Sequence, residues 1–320
     1  MTEECKARDL NEYYRVSQDP ELCAKATLVP AIKYKNKLDG VLMFYDPMMI
    51  PQAMGMKVEL SAMGPVLKEP IVTPEDLTRL PSQEYDADEL FGYIMESIMK
   101  ARAGLNGEAI LIGNVEGPYT IMCTMIEGRA CKKSAKAEDW LRNRSVESHI
   151  LLHRIINFQI GYMLDQIRMG CQTLHIHEPN AEGMPKDLFE EFLYPFIIQL
   201  IVGAKNRLDD IGFRCMMSVY IGTDHFVFDR MCYTAAEAIQ TPAWYDEQEK
   251  RQISKGKTIL AYYNASQLAG LSKNEIDQKV KTMFKEYQTE KLVAHIYHDM
   301  DTDNDPEAIG HFLDSIVSLN

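Results

Sequence analysis

The stretch AILIGNVEGP, residues 109–118, decides the fold of this chain. Its first half is an apolar run of the length of a buried strand, and its second half is a polar turn that contains a glutamate. Five further apolar runs are followed at once by polar residues in the same way. They begin at residues 40, 173, 215, 258 and 292. The pattern predicts a series of buried strands, each ending at a polar group.

Longer stretches with apolar residues near a 3.6-residue period separate these strands and predict helices at 88–103, 147–169, 188–208, 274–287 and 309–317. Alternating strands and helices indicate parallel strands with right-handed crossovers. An open doubly wound sheet would also satisfy this pattern. A single (β/α)8 TIM-type barrel is favoured because a barrel gathers the carboxyl ends of its strands into one mouth. The polar residues predicted to meet there are Asp46, Glu116, His177, Glu178, Asp224, His225, Asn264 and His298.

Composition narrows the class of protein. The 320 residues carry a net charge of −13, which disfavours nucleic acid and anionic membrane surfaces as partners. No apolar run is long enough to cross a membrane, and the charged first ten residues do not look like a secretory signal. The seven cysteines are scattered and odd in number, which is typical of reduced thiols in the cytoplasm. We expect one domain, 1–320, with 1–20 as a lead-in segment.

The polar strand ends also carry a resemblance to a known family. In chain order the matching segments are FYDPM (44–48), PQAMGM (51–56), GPYT (117–120), MIEG (125–128), Glu178, DHF (224–226), Asn264, and His298 with the acidic turn that ends at Pro306. Over roughly residues 15–318 this ordered set resembles the uroporphyrinogen decarboxylase superfamily. The resemblance implies the barrel fold and makes Asp46 the counterpart of the family's essential aspartate and His298 that of its active-site histidine. The residues expected to bind substrate are Tyr45, Tyr119, Thr124, Asn264 and Tyr220.

The sequence departs from the family at the residues that bind carboxylates. The decarboxylases open with an arginine-rich loop that holds the substrate's carboxylates, and neither Arg8 nor Arg15 has the spacing of that loop. The family's tyrosine falls on Thr124 and its serine after the strand-end glutamate falls on Pro179. Burying unpaired carboxylates is costly, so a substrate with eight of them needs cationic partners. These departures argue against ordinary uroporphyrinogen decarboxylation.

New histidine and glutamate residues suggest other chemistry. His175 and His177 alternate along one strand and so point to the same side, expected to be the barrel interior. With Glu178 and His225, His177 forms a candidate metal site, and zinc is the candidate ion. The alternative is one core histidine and one at the mouth. Glu178 points the other way along a regular strand, unless the turn at Pro179 re-aims it.

The leading hypothesis is a methyltransferase that moves a methyl group from a small O- or N-methylated substrate to a corrinoid protein. Corrinoid-linked methyltransferases of the same superfamily also lack the arginine loop. The catalytic candidates are Asp46, Glu116 and His298, which would serve as acids or bases. The zinc ligands of the coenzyme M branch are missing from the corresponding strand, residues 219–222. Two alternatives stay open: a decarboxylase of a porphyrinogen or related carboxylate, and a non-catalytic tetrapyrrole-binding barrel. A homodimer is compatible with either.

Overall fold

The apolar runs of the sequence form the strands of one parallel sheet. The computed structural model describes residues 9–81, 92–222, 225–240, 256–287, 291–297 and 305–319. Its strands are β1 (Gly40–Leu42), β2 (Val58–Ser61), β3 (Gly64–Leu67), β4 (Ile110–Glu116), β5 (Thr173–His177), β6 (Met216–Tyr220), β7 (Ala238–Gln240), β8 (Thr258–Asn264) and β9 (Leu292–Tyr297). Strands β2 and β3 pair as an antiparallel hairpin, and the other seven form the sheet.

The sheet order is β1-β4-β5-β6-β7-β8-β9, and every neighbouring pair is parallel. The α/β fold with parallel strands is therefore confirmed. The six predicted strands are all present, whereas β7 and the hairpin were not predicted. An eighth strand and a pairing of β9 with β1 are not found in the described ranges, so the eight-stranded barrel stays a prediction.

The sheet is strongly curled. His175 on β5 and His295 on β9 are separated by three intervening strands, which in a flat sheet would put them roughly 19 Å apart. Their ring centroids are instead 5.6 Å apart. The contact requires the sheet to bend round so that both side chains face a common interior, as in a barrel.

Helices surround the sheet and cover its outer face. They are α1 (Leu10–Gln18), α2 (Pro20–Lys33), α3 (Met49–Ala53), α4 (Gly92–Leu105), α5 (Pro118–Glu127), α6 (Ala135–Asn143), α7 (Ser145–Met169), α8 (Tyr194–Asp210), α9 (His225–Met231), α10 (Lys273–Tyr287) and α11 (Pro306–Val317). A short helical turn, Lys186–Leu188, and a π-helical turn, Phe189–Leu193, lead into α8. On β4 the outward residues Leu111 and Val115 are buried, whereas Glu116 is half-buried and faces the interior. Alternation along each strand thus separates the core from the site.

The segment predicted as a lead-in contains part of the site. Asp9 caps α1 by accepting a hydrogen bond from the backbone N–H of Glu12. Asp19 caps α2, where Pro20 occupies the first turn and needs no N–H partner. Only Asp19 separates α1 from α2, and the carboxyl end of α1 contacts Asp46 after β1 through Ser17 and Gln18.

No helix within the described ranges is both long enough and apolar enough to cross a membrane. The described cysteines are all free thiols, as predicted. Cys5 lies outside the described residues.

Candidate active site

Asp46 follows β1 and is almost fully buried. Its carboxylate accepts hydrogen bonds from the backbone N–H of Met48 (2.9 Å), the Ser17 hydroxyl (3.1 Å) and the Gln18 side-chain amide (3.1 Å). Burial raises the pKa of Asp46 to about 6, and the three donors hold it from rising further. Because all three donors are neutral, the carboxylate is satisfied without an ion pair.

The surroundings of Asp46 come from elements that the sequence analysis did not assign to the site. Gln18 on α1 also donates to the Tyr93 hydroxyl at 3.1 Å, and Gln52 on α3 donates to the Tyr14 hydroxyl at 2.7 Å. Burial, with the nearby Asp46 charge as the second cause, raises the pKa of both tyrosines. Ser17 and Gln18 belong to no motif, so the sequence offered no signal for them.

Glu116 ends β4 and is half-buried beside Tyr45, whose hydroxyl donates to Glu116 Oε2 at 2.9 Å. Burial raises the pKa of Glu116 to about 7, while the Tyr45 hydrogen bond lowers it and the Asp46 charge adds to the rise. The pKa of Tyr45 lies well above its ordinary value for the same reasons, burial first and Glu116 second. A carboxyl group with this pKa can serve as an acid or a base near neutral pH.

Glu178 follows β5 and is fully buried against the amino-terminal end of α5. Its carboxylate accepts the backbone N–H groups of Tyr119 (2.9 Å) and Thr120 (2.8 Å), and also the Thr120 hydroxyl. The side chain points away from the interior that His175 and His177 face, as strand alternation predicts, and a 3-10 turn begins at Pro179. Burial raises the pKa of Glu178 to about 8, against the lowering effect of these donors. The first N–H groups of a helix have no acceptor within that helix. Glu178 accepts hydrogen bonds from two of these groups in α5.

The zinc site proposed at His177, Glu178 and His225 stays a prediction. The oxygens of Glu178 are taken by α5, and the side chain of His225 lies outside the described residues. The ring of His177 lies against the ring of Tyr220, with centroids 5.0 Å apart. Among the residues with described positions, no group of three His, Cys, Asp or Glu side chains is arranged to hold a metal ion.

Three histidines meet inside the curled sheet. The rings of His175 and His177 are stacked with centroids 6.1 Å apart, as their alternation on β5 predicts. His175 Nδ1 is 2.8 Å from the Ser218 hydroxyl on β6. Burial, then the neighbouring His295 and His177, holds the pKa of His175 well below its ordinary value. His175 is thus a neutral interior residue, and His295 on β9 faces it across the curled sheet.

The remaining predicted residues fall in different places. Tyr119 and Thr124 lie buried on α5, and the Thr124 hydroxyl donates to the Thr120 carbonyl of its own helix. Tyr220 lies beside His177 at the mouth. Asn264 ends β8, and its side chain lies outside the described residues. Asp224 and His298 lie outside them altogether.

Tyr45, Glu116, His177 and Tyr220 therefore form a half-buried polar surface at the carboxyl ends of β1, β4, β5 and β6, with the buried Asp46 beside Tyr45. Within the described part of the chain, no lysine or arginine forms an ion pair with Asp46, Glu116 or Glu178. The surface can exchange protons and accept hydrogen bonds, and no described lysine or arginine is paired with its carboxylates.

Comparisons with known proteins found relatives in sequence and in fold. The family model for uroporphyrinogen decarboxylase (URO-D) matches residues 1–319. The human uroporphyrinogen decarboxylase is 31% identical over 314 residues, which cover 97% of this chain and 84% of that protein. The Schizosaccharomyces pombe enzyme is 28% identical over 318 residues, 97% of this chain and 87% of that protein. A methyltransferase from Methanosarcina mazei has a similar fold, with a TM-score of 0.72 at 16% identity, covering 97% of this chain and 91% of that one.

Proposed function

Because this chain belongs to the uroporphyrinogen decarboxylase (URO-D) family, whose model and relatives span nearly all of it, we propose that it catalyses a reaction of that superfamily at the Tyr45–Asp46–Glu116 surface. The reaction proposed is methyl transfer from a small O- or N-methylated substrate to a corrinoid protein. The observation that carries it is an acidic mouth in which the described residues pair no cation with Asp46 or Glu116. Such a mouth suits a neutral or cationic substrate better than a polycarboxylate.

Glu116 is the residue proposed to contact the leaving group. A methyl–oxygen bond breaks more readily when the oxygen is protonated, and a carboxyl group with a pKa of about 7 can donate that proton. With a methylated ammonium substrate, the ionised Glu116 carboxylate would bind the cation before transfer. The nitrogen then leaves as a neutral amine and needs no proton. The corrinoid, carried by a partner protein, supplies the nucleophile. Asp46 is held by hydrogen bonds from α1, and we propose that its negative charge helps to raise the pKa of Glu116. A role for His298 stays a prediction.

The test is formation of methylcobalamin. The full chain is incubated with a reduced corrinoid protein and a panel of methyl ethers and methylamines, and the rise of the methylcobalamin absorbance is followed. We expect transfer from at least one member and its loss in Glu116→Gln, with Glu108→Gln as the matched control. Glu108 is exposed and lies just before β4, at the far end of that strand from Glu116. Absence of transfer across the panel with a competent corrinoid protein would refute the proposal.

A second function, decarboxylation, is favoured by the similarity to the decarboxylases themselves. Asp46, matched to their essential aspartate, lies at the end of β1 with a pKa raised to about 6. The substrate would be a porphyrinogen or a smaller acid. Conversion of uroporphyrinogen to coproporphyrinogen by the wild-type chain, and its loss in Asp46→Asn, would establish this function in place of methyl transfer.

A further inference from the structure

Four side chains of the mouth form a continuous row across neighbouring strands. The register pairs Glu116 on β4 with His177 on β5, and His177 with Tyr220 on β6. Paired residues of parallel strands lie at one level and point to one side of the sheet. Tyr45, which follows β1, completes the row on the other side of Glu116 through its hydroxyl. We call Tyr45, Glu116, His177 and Tyr220 the mouth row.

The mouth row combines one carboxylate with aromatic rings. The rings of His177 and Tyr220 are nearly parallel, with an interplanar angle of 25° and centroids 5.0 Å apart. Tyr45, Glu116, His177 and Tyr220 are all half-buried, so each retains surface that a ligand can reach. The hydrogen bond to the Glu116 carboxylate given by the described residues comes from a neutral phenol. The row therefore presents a negative charge between polarisable ring faces.

The ionisable groups next to the row are carboxyl groups as well. Asp46 adjoins Tyr45, whose hydroxyl donates to Glu116, and Glu178 adjoins His177 at the end of β5. Carboxyl groups held close together, without a described basic partner, favour a positive ligand over a negative one.

We infer that the mouth row binds a small methylated ammonium group, an inference that rests on the proposed methyl transfer and names the class of its methyl donor. A carboxylate balances the charge, and the tyrosine rings contact the methyl groups, which carry the positive charge of such a cation. A hard metal ion is a poorer fit because it requires six or more oxygen ligands, and the row offers one carboxylate. A carboxylate-bearing substrate would be repelled.

The reaction that follows is balanced without a further reagent. The bond between the methyl carbon and nitrogen breaks, and its electron pair stays on nitrogen, which leaves as a neutral amine. A reduced corrinoid held by the partner protein would supply the electron pair for the new bond to the methyl carbon, so that no further oxidant or reductant is needed. Because the leaving amine is neutral, no proton has to be donated to it. Glu116 therefore acts on this donor as an ionised binding group.

Binding separates this inference from the proposed function. Titration calorimetry of the full chain, with no corrinoid present, compares choline with 3,3-dimethyl-1-butanol, its neutral analogue of the same shape, and with acetate. We expect choline to bind at least about 10-fold more tightly than the neutral alcohol and acetate not to bind, as a charge-assisted contact predicts. Tyr220→Leu should weaken choline binding roughly 3- to 30-fold, the range of a cation–π contact.

Two matched variants test whether choline binds at Glu116. Glu116→Gln should remove most of the preference for choline, and Glu108→Gln should leave it unchanged. Equal binding of choline and the neutral alcohol, or an unchanged preference in Glu116→Gln, would overturn the inference even if methyl ethers proved to be donors. Tight, Glu116-dependent choline binding without any methyl transfer would instead refute the proposed function alone.

Discussion

Glu116 and Glu178 stand at the ends of neighbouring strands, and both have a raised pKa, yet their surroundings differ. Glu178 is fully buried and accepts two backbone N–H groups and a hydroxyl from the first turn of α5. Glu116 is half-buried and accepts one phenol. The Glu178 carboxylate stabilises the fold, whereas the Glu116 carboxylate is available to a ligand. Residue type and position at the mouth are therefore insufficient to assign a role, because the donors around each carboxylate decide it.

The largest expected effect is on stability at Glu178. Glu178→Ala leaves two buried N–H groups and a hydroxyl without their acceptor, at roughly 1–3 kcal/mol each, so the free energy of unfolding should fall by roughly 3–5 kcal/mol. Urea denaturation measures this. Glu178→Gln keeps an oxygen acceptor and should recover most of the loss. Glu116→Ala should change the free energy of unfolding by less than about 1 kcal/mol. Equal losses at both positions would erase the distinction.

The next effect is on activity at Glu116. Glu116→Gln should lower kcat/KM for an ammonium donor about 10- to 150-fold, mainly through KM, because a charge-assisted contact contributes roughly 1.5–3 kcal/mol. Steady-state kinetics of methylcobalamin formation measure it. An unaltered urea midpoint would show that folding is intact. A wild-type kcat/KM in this variant would mean that Glu116 does not contact the substrate.

Gly117 tests how closely Glu178 is held. A Cβ at Gly117 would lie 2.5 Å from Cδ of Glu178, so one of the two must shift. We expect Gly117→Ala to reduce the free energy of unfolding by roughly 1–3 kcal/mol, the usual range for overpacking. In the Glu178→Ala background the carboxyl group is gone, but Cβ of residue 178 would still lie 2.6 Å from the added carbon, so the same change should cost less without becoming neutral. A double-mutant cycle by urea denaturation measures this coupling, and additive losses would contradict the close contact.

Tyr45 tests the protonation state of Glu116. If the ionised carboxylate binds an ammonium donor, kcat/KM should rise with pH through about 7. With a methyl ether that needs the protonated acid, it should fall instead. Tyr45→Phe removes a hydrogen bond that lowers the Glu116 pKa, so the midpoint should move to higher pH. Asp46→Asn removes a charge that raises it and should move the midpoint down. If neither variant shifts the midpoint of the kcat/KM profile, Glu116 is not the titrating group.

The last prediction concerns the pH dependence of stability. The pKa of Glu178 is raised from 4.5 to about 8 on folding, so the folded state holds the proton more tightly than the unfolded chain. Its stabilising contribution is complete below about pH 4.5 and is lost as pH rises to about 8. Unfolding in urea at pH 5 to 8 should therefore show a negative slope that is flatter in Glu178→Gln. Glu108→Gln is the control, since Glu108 is exposed.

The sequence predicted the strands well because buried parallel strands are nearly continuous apolar runs. It missed β7, which has three residues and too little length for a pattern. It also missed α1, whose polar residues looked like a lead-in. At the site, Asp46, Glu116 and His177 were found by their positions at strand ends. Ser17 and Gln18 could not be found, because their contact with Asp46 exists only after α1 has packed.

Glu178 is a second residue whose contacts could not be predicted from the sequence. The sequence placed it at the mouth and raised the turn at Pro179 as the condition for re-aiming it. It could not show that α5 begins beneath that turn with two N–H groups directed at the carboxylate. A capping contact between distant segments depends on tertiary packing, whereas a strand depends on its own residues.

The contact between the rings of His175 and His295 also bears on how the chain reaches its folded state. It joins residues 120 positions apart in the chain, 295 minus 175, and forms only when the sheet bends round. Chains dominated by such distant pairings fold slowly, since the intervening segment must be ordered before the contact is made. We expect refolding to be limited by this late closure, and the first and last strands to be the aggregation-prone edges of a newly made chain until it is complete.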